Sequence, residues 1–508
     1  MDQQLPRNSR TGSDRSADSG LPRHVTQDAV VIVPGIMGSA LYDTSRDTHV
    51  WGLGGISWLV KAWTLPGGLK PLALTEEELE GKTGRIKATG LLEHSAWTPY
   101  LAGIEPYSDL VEAVGGCVAD PAAVLKFAYD WRLPVAANGR LLAEAARDHL
   151  GAWRRHPAHD RARRHRVDER EGRLVFVAHS MGGLVTRSAL DPALDSDLAG
   201  DTRGVITLGT PFLGAVKAAV ILNSGRGTPV RLPHRKLRAV CANMPGLHDL
   251  LPQYKSVRDE GRDGNSSHGD HIRHLTPSDV TAIGGNAELA RKSALFHRDL
   301  GRIGLPGHRT VVGVNQPTPQ SLTIRDGKVR AHLAGARMNS DRSILRDRAT
   351  GRILYFEVGG DGTVYKESAS LGPVTTTLPL QHGAVAKATS ALDAVVEIVR
   401  DDIHLGPPMG DVGCGLETPD LVEAGVPWKV RLSDVDTLSG LVCGITNVED
   451  PADEQRLTAA WEDGAAVAEA TTKTTGLYRV TVRTPDGHEV SQLVMSGEPG
   501  MAWEESED

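Results

Sequence analysis

The most informative segment of the chain is RLVFVAHSMGGLVTRSAL, which runs from Arg173 to Leu190. Its first part, Leu174 to Ala178, is a short apolar and β-branched run, which predicts a buried parallel strand. After His179-Ser180-Met181-Gly182-Gly183 the apolar residues recur at helical spacing. The stretch therefore predicts a strand, a sharp turn that carries a serine, and a helix.

The serine turn has the pattern of a nucleophile elbow, in which a strained serine lies between a strand and a helix. The usual pattern is Gly-x-Ser-x-Gly, and Ala178 stands here at the first small position. Small residues two before and two after Ser180 let the strand and the helix pass close together. The pattern favours Ser180 as a nucleophile beside a helix N-terminus that stabilises negative charge. A serine in an ordinary strand-to-helix turn is the alternative that this short motif leaves open.

Length, charge and cysteine content limit the class of protein. The chain has 508 residues, more than one hydrophobic core usually needs, so we expect two domains. Its net charge of −8 argues against a nucleic-acid binder. Four scattered cysteines suit neither a disulfide framework nor a zinc site; Cys414 and Cys443 as a pair or as free thiols are both compatible with the sequence.

The sequence shows no sign of a membrane span, a metal site or a cofactor. No run approaches the ~20 apolar residues of a membrane helix. Residues 1–27 are polar and read as a disordered tail without a secretory signal, which predicts a cytoplasmic protein. His268, His271 and His274 with Asp270 are predicted to be exposed loop residues rather than metal ligands.

A second apolar run supplies a further part of the expected site. Ala29 to Val33 predicts a buried strand, and a Gly-containing turn, Pro34 to Ser39, comes directly after it. In hydrolases with a nucleophile elbow, one oxyanion donor comes from the residue after the nucleophile and another from such a loop. We therefore predict the backbone N–H groups of Met181 and Ile36 as the oxyanion donors.

The acid and the base of a serine hydrolase are expected later in the chain. Leu354 to Val358 predicts a strand that leads into a Gly-rich turn with Asp361; a plain Asp-Gly turn is the alternative. His382 stands before a predicted helix from Ala384 to about Val399. The order Ser180, Asp361, His382 is the order in which α/β-hydrolases carry these residues.

Aromatic and apolar residues mark candidate contacts with the substrate. Phe212 and Leu213 come after a predicted strand that ends at Gly209, so they would lie near the mouth of the site. Trp58 and Trp63 belong to a segment rich in tryptophan from Val50 to Lys70. These rings are amphipathic, and a cap that rests on a membrane surface and a small satellite core are equally compatible with them.

The hydrophobic pattern of the sequence changes after about residue 405. Short alternating runs separated by turn residues predict a small immunoglobulin-like β-sandwich over residues 406–500, with a helical pattern only around Ala465 to Ala470. The domain prediction is thus a tail at 1–27, a catalytic domain at 28–405 with cap or lid insertions near 50–100 and 213–305, the sandwich, and an acidic tail at 501–508. The sandwich is a candidate surface for a protein partner or for self-association.

Five linked motifs resemble the lecithin:cholesterol acyltransferase-like α/β-hydrolases, a family of acyltransferases and phospholipases. They are Val31 to Ser39, Tyr129 to Arg132, Ala178 to Gly183, Gly360 to Val364, and Gln381-His382. The resemblance covers about residues 28–400. It implies an α/β-hydrolase fold with a mostly parallel sheet, a lipid ester substrate, Ser180 as nucleophile with Asp361 and His382 as partners, and a cap with a lid.

The predicted function is serine-dependent acyl transfer on lipids through an acyl-enzyme. A lipid ester hydrolase and an O-acyltransferase would use the same residues, so the sequence does not separate them. The rival hypothesis from another class is a catalytically idle hydrolase fold that acts as a binding protein or scaffold through its β-sandwich.

Overall fold

A computed structural model describes residues 25–52, 69–79, 83–92, 107–166, 168–194, 198–225, 234–259, 271–337, 344–371, 375–401, 414–419, 421–433, 435, 437–448, 450, 452–462, 465–485 and 489–497. Twenty-four strands occur in the described residues. In chain order they are β1 (Ala29–Val33), β2 (Ser39–Asp43), β3 (Thr48–Trp51), β4 (Ile86–Leu91), β5 (Val124–Lys126), β6 (Leu174–His179), β7 (Thr202–Leu208), β8 (Lys255–Asp259), β9 (His271–His274), β10 (Arg309–Gly313), β11 (Ser321–Arg325), β12 (Lys328–His332), β13 (Gly335–Ala336), β14 (Tyr355–Phe356), β15 (Thr375–Leu378), β16 (Gly415–Glu417), β17 (Leu421–Glu423), β18 (Trp428–Ser433), β19 (Val442–Asn447), β20 (Glu454–Leu457), β21 (Ala459–Glu462), β22 (Ala465–Ala470), β23 (Gly476–Arg483) and β24 (Glu489–Gly497).

The same residues contain twelve α-helices, and short 3₁₀ turns at Lys70–Leu72, Pro121–Ala123 and Ala384–Ala386. The α-helices are α1 (Glu76–Leu79), α2 (Ser108–Gly115), α3 (Val135–Arg154), α4 (Pro157–Arg164), α5 (Met181–Ala189), α6 (Val216–Ser224), α7 (His234–Cys241), α8 (Pro245–His248), α9 (Pro277–Ala282), α10 (Ala287–Leu300), α11 (Lys366–Ala369) and α12 (Thr389–Arg400). None of them combines the length and the apolarity that crossing a lipid bilayer requires.

A six-stranded parallel sheet forms the centre of the molecule, in the order β15-β10-β7-β6-β1-β5. Every residue of β1 and β6 is buried, so both faces of the sheet are covered, as parallel sheets require. Helices α3 and α5 pack against each other and against β1. This arrangement confirms the predicted α/β-hydrolase architecture.

The order of the strands explains where a site can form. β5 lies on one side of β1, and β6 lies on the other. The order in which the chain adds strands to the sheet therefore reverses at β1. In open parallel sheets, ligands bind beyond the carboxyl ends of the strands near such a reversal. The loops after β1, β6, β10 and β15 therefore meet at one edge.

One predicted strand does not join the central sheet. Of Leu354 to Val358, only Tyr355–Phe356 are extended, and they pair with Gly335–Ala336 in a separate two-stranded ribbon. The turn of Asp361 reaches the sheet edge by another contact, a backbone bridge between Gly360 and Gln316 just beyond β10. The predicted strand is thus confirmed only at Tyr355–Phe356, and it lies outside the central sheet because a local apolar run does not specify which sheet it joins.

The C-terminal region consists of two sheets, β16-β18-β22-β21 and β17-β24-β23-β19-β20, which enclose a hydrophobic cluster of their own. This confirms the predicted β-sandwich. The helical pattern at Ala465 to Ala470 was wrong: this segment is β22, paired with β18 and β21. Its alanines favour a helix, but burial between two strands overrides that local preference.

The domain boundaries stay a prediction. Val25 to Gln27, which the prediction placed in the N-terminal tail, are buried, and Thr26 pairs with Val118. The four cysteines are buried free thiols, including Cys414 and Cys443.

Candidate active site

Ser180 occupies the sharp turn between β6 and α5. Its backbone has φ +52° and ψ −127°, a conformation that non-glycine residues rarely adopt. A methyl group at Gly182 would lie 2.5 Å from the carbonyl oxygens of Val33 and Pro34, so only glycine lets α5 approach β1 this closely. The small residues of the motif thus serve the close packing that the sequence predicted.

The three residues predicted as nucleophile, base and acid lie in hydrogen-bond contact. Ser180 Oγ is 2.8 Å from His382 Nε2, and His382 Nδ1 is 2.7 Å from Asp361 Oδ2. The other carboxylate oxygen of Asp361 accepts the backbone N–H groups of Thr363 and Val364, at 2.9 and 2.7 Å. Asp361 is only 2% exposed, and hydrogen bonds to both of its carboxylate oxygens fix its orientation.

The two predicted oxyanion donors flank this array. Ile36 lies in the turn after β1 and lines the pocket in front of Ser180, and Met181 is the first residue of α5. Within the part of the chain that the structure describes, neither backbone N–H has a hydrogen-bond acceptor. The first N–H groups of a helix have no partner inside the helix, so that of Met181 is available to an oxyanion.

A buried hydrogen-bond chain that the sequence did not predict connects both sides of the site. The backbone N–H of Gly35 donates to the hydroxyl of Tyr107 at 2.8 Å, and that hydroxyl lies 2.7 Å from His179 Nδ1. His179 Nε2 lies 3.0 Å from the carbonyl oxygen of His382. A carbonyl can only accept, so Nε2 carries the proton and Nδ1 accepts from Tyr107.

His179 is neutral in this chain. Burial, with a smaller contribution from the neighbouring His382, lowers the pKa of His179 to about 3. A neutral ring can accept a hydrogen bond at one nitrogen and donate at the other, as this geometry requires. The position next to Ser180 in the motif was the only sequence signal for His179, and nothing local pointed to Tyr107.

A pocket of about 390 Å³ opens in front of Ser180. Most of its lining is apolar, with aromatic rings from Trp51, Tyr107 and Trp131 and aliphatic side chains from helices α6, α7 and α8. Those aliphatic residues are Ala218, Ile221, Leu237, Val240 and Leu247. The shape and chemistry of this pocket suit an acyl chain or another apolar group.

The structure places the predicted substrate contacts differently. Phe212 is buried with its ring 5.6 Å from that of His308, and neither Phe212 nor Leu213 lines the pocket. Pro211 and Ala215 of the same segment line it instead. Trp58 and Trp63 lie outside the described residues.

Trp51 is the member of the predicted tryptophan segment that the structure describes. It is fully buried, its ring packs edge-on against Trp131 at 5.5 Å, and its N–H donates to the carbonyl of Met37. For this residue the packing interpretation holds.

Within the described ranges, no group of three or more His, Cys, Asp or Glu side chains is placed to hold a metal ion. Of the predicted histidine-rich loop, His268 and Asp270 lie outside those ranges. The loop prediction was wrong for His271 and His274, which lie on β9 because this segment pairs with β8, although both side chains are exposed as predicted.

Comparison with solved structures gives partial likenesses. "The crystal structure of Tle4-Tli4 complex" is 14% identical, with a TM-score of 0.42, over 73% of this chain and 98% of that one. "Structure or murine CRIg" is 18% identical, with a TM-score of 0.12, over 17% of this chain and 98% of that one. No curated protein sequence matches this chain.

A protein-family comparison bears directly on the segment that contains Ser180. The family model described as "Lecithin:cholesterol acyltransferase" matches residues 85–277. The match supports a general activity of acyl transfer or ester hydrolysis on lipids. It confirms the resemblance to the lecithin:cholesterol acyltransferase-like α/β-hydrolases that the motifs indicate.

Proposed function

We propose that this chain is a serine-dependent enzyme that transfers the acyl group of a lipid ester, with Ser180, His382 and Asp361 as its catalytic residues. The observation that carries the proposal is the continuous contact from Ser180 Oγ through His382 to Asp361, at 2.8 and 2.7 Å, at the end of an apolar pocket. The family match over residues 85–277 agrees with the lipid part of the proposal.

In the proposed first step, His382 Nε2 takes the proton of Ser180 while Ser180 Oγ bonds to the ester carbonyl carbon. The carbonyl oxygen becomes an oxyanion, which the N–H groups of Ile36 and Met181 stabilise. When the bond to the alcohol breaks, His382 returns the proton to the leaving oxygen, and an acyl-enzyme remains. Asp361 holds the ring of His382 and stabilises its protonated form.

In the proposed second step, His382 takes a proton from an acceptor whose oxygen attacks the acyl-enzyme. Water gives a free fatty acid, and an alcohol gives a new ester; in both cases His382 then reprotonates Ser180. The same residues serve both reactions, so the acceptor decides between a hydrolase and a transferase.

The test incubates the purified full chain with phospholipids and neutral glycerides, with and without a long-chain alcohol, and reads the products by mass spectrometry. Ser180→Ala should lower product formation by about 10⁴-fold or more, because the nucleophile and its base act as a unit. Ser188→Ala, a buried serine on the same helix α5, is the matched control and should retain activity.

The products distinguish the two reactions. Free fatty acid alone identifies a hydrolase, and esters of the added alcohol identify a transferase. A fluorophosphonate probe tests the serine without any assumption about the lipid. Absence of Ser180-dependent labelling would contradict the proposal and favour the scaffold hypothesis.

A further inference from the structure

The C-terminal β-sandwich forms one side of the pocket in front of Ser180. Five residues of the sandwich line this pocket together with the loops of the central sheet: Leu416, Glu417, Arg479, Ser491 and Gln492. They come from strands β16, β23 and β24, which are distant from the nucleophile in the chain. The pocket would therefore lack part of its wall without the sandwich.

One contact joins the sandwich to the turn of Asp361. The side chain of Gln316 is 2% exposed; its Oε1 accepts the backbone N–H of Leu416 at 3.1 Å and its Nε2 donates to the carbonyl of Cys414 at 3.5 Å. The backbone of the same residue exchanges hydrogen bonds of 2.9 and 3.2 Å with Gly360, next to Asp361. Gln316 thus connects the first strand of the sandwich with the loop that holds the acid.

A second contact joins the sandwich to the loop of His382. Gln381 Nε2 lies 3.3 Å from Oε1 of Gln492 on β24, and Gln492 Nε2 lies 3.5 Å from the carbonyl of Thr418. The loops of the acid and of the base are both held against the sandwich. These contacts indicate that the sandwich is a fixed part of the site and not an independent module.

Arg479 is the cation that the sandwich presents to the pocket. It lies within β23, opposite Thr446, and its side chain is half-buried in the pocket wall. Among the residues that the structure describes, its guanidinium has no carboxylate partner and no other hydrogen-bond acceptor. A half-buried cation that faces a ligand pocket without an internal counter-ion suits an anionic group on the ligand.

The other charged groups of the pocket leave this role open to Arg479. Asp361 is engaged by His382, and Lys217 Nζ lies 3.5 Å from the carbonyl of Gly362 in the acid loop. Glu417 is exposed at the rim, and the strand register sets Arg431 opposite it. Arg479 is therefore the charged residue of the sandwich that lies in the wall of the pocket, whereas Glu417 lies at its rim.

We propose that the C-terminal β-sandwich is part of the active site and that Arg479 on it binds an anionic group of the acyl donor. This inference rests on the proposed function and adds to it the charge of the substrate. The guanidinium presents a planar fork of N–H donors, which matches the paired oxygens of a phosphodiester or a carboxylate. The acyl chain would then extend into the apolar part of the pocket.

The experiment measures kcat/KM of the full chain on three donors with the same oleoyl chains in one type of mixed micelle. Dioleoylphosphatidylglycerol carries a phosphodiester, dioleoylglycerol hemisuccinate carries a carboxylate, and dioleoylglycerol is neutral. Arg479→Gln should lower kcat/KM on anionic donors by about 10- to 100-fold, the range expected for a hydrogen bond to a charged group. On the neutral donor it should stay within about twofold of the wild type.

Two variants control for effects of charge and folding. Arg479→Lys retains the charge without the fork and should recover part of the loss. Arg456→Gln removes an exposed arginine from β20 of the same sheet, outside the pocket, and should leave all three donors unchanged. Loss on the phosphodiester alone identifies phosphate as the bound group, and loss on both anionic donors identifies the shared charge. Equal losses on charged and neutral donors, or no loss, would overturn the proposal.

A binding measurement separates this inference from the proposed chemistry. In the Ser180→Ala background, calorimetric titration with soluble dihexanoylphosphatidylglycerol reports affinity without turnover. Arg479→Gln should raise Kd by about 10-fold or more. If no donor is turned over but this difference remains, the proposed reaction fails and the anion site stands. If Kd does not change, the anion site is refuted whatever the activity.

Discussion

The hydroxyl of Tyr107 offers the sharpest test of how the site is held together. It is buried, it accepts the N–H of Gly35 at 2.8 Å, and it donates to Nδ1 of His179 at 2.7 Å. Tyr107→Phe removes one oxygen atom and leaves both partners buried without a hydrogen bond. His179 in turn contacts the carbonyl of His382, so the change reaches the loops on both sides of Ser180.

The expected magnitude comes from the two groups that lose their partner. An unsatisfied buried polar group costs about 1–3 kcal/mol, so the two groups together should lower the free energy of unfolding of Tyr107→Phe by roughly 2–6 kcal/mol. Gly35 precedes Ile36, whose N–H is the proposed oxyanion donor. Complete loss of such a donor costs about 10²–10³ in rate, and displacement should cost less, so we expect kcat to fall by about 10- to 100-fold.

Urea unfolding measures the first effect, and the rate of fluorophosphonate labelling at Ser180 measures the second under conditions where the variant is folded. Tyr42→Phe is the matched control, because its hydroxyl contacts Asp47 at the surface. Loss of stability with an unchanged labelling rate would show that the chain of hydrogen bonds only supports the fold. No change in either quantity would show that the Tyr107 hydroxyl stabilises neither the fold nor the loop of Ile36.

Two further predictions concern acid stability and the packing of the serine turn. Burial lowers the pKa of His179 to about 3 and that of His308 to about 4, from an ordinary value of 6.5, so the unfolded chain binds protons that the folded chain excludes. The free energy of unfolding should therefore be highest above pH 6.5 and decrease below it, by about 2 kcal/mol for each of the two histidines at pH 5. Asp249 acts in the opposite direction, because burial raises its pKa to about 6 and the folded chain then binds a proton more readily than the unfolded chain. This offsets about 1.4 kcal/mol of the loss at pH 5. Urea midpoints at pH 7.5 and pH 5 measure the net loss of at least about 2 kcal/mol, and equal midpoints would contradict it. Gly182→Ala should destabilise the fold by about 1–3 kcal/mol and slow the fluorophosphonate labelling of Ser180, because its methyl group would overlap the carbonyl oxygens at the end of β1. Gly115→Ala, where a methyl group meets no atom within 4 Å, is the control, and equal stability of the two variants would disprove the packing argument.

Local sequence was sufficient to predict the core of the fold and the three central residues of the candidate site. An apolar run that leads into a small-residue turn specifies a buried strand and the turn at its carboxyl end, and parallel strands bring those ends to one edge. Ser180, Asp361 and His382 could therefore be predicted to meet although Ser180 and His382 are 202 positions apart. The strand within Leu354 to Val358 shows the limit of such local patterns, because it pairs in a separate ribbon and Asp361 reaches the sheet edge through the bridge of Gly360 to Gln316.

The surroundings of these three residues depend on contacts between distant parts of the chain, which local sequence does not specify. Tyr107 and His179 are 72 positions apart, Gln381 and Gln492 are 111 apart, and Gln316 and Leu416 are 100 apart, with no shared motif to relate them. Phe212 lies beside the expected mouth in the chain yet packs into the interior, and one wall of the pocket comes from the β-sandwich. A sequence motif reflects the backbone conformation that a turn requires. A pocket wall depends instead on which distant surfaces pack against each other in the folded chain. The order and local patterns of the residues thus predicted the strands, the turn and the positions of Ser180, Asp361 and His382, whereas the docking of the sandwich completes the pocket that these residues face.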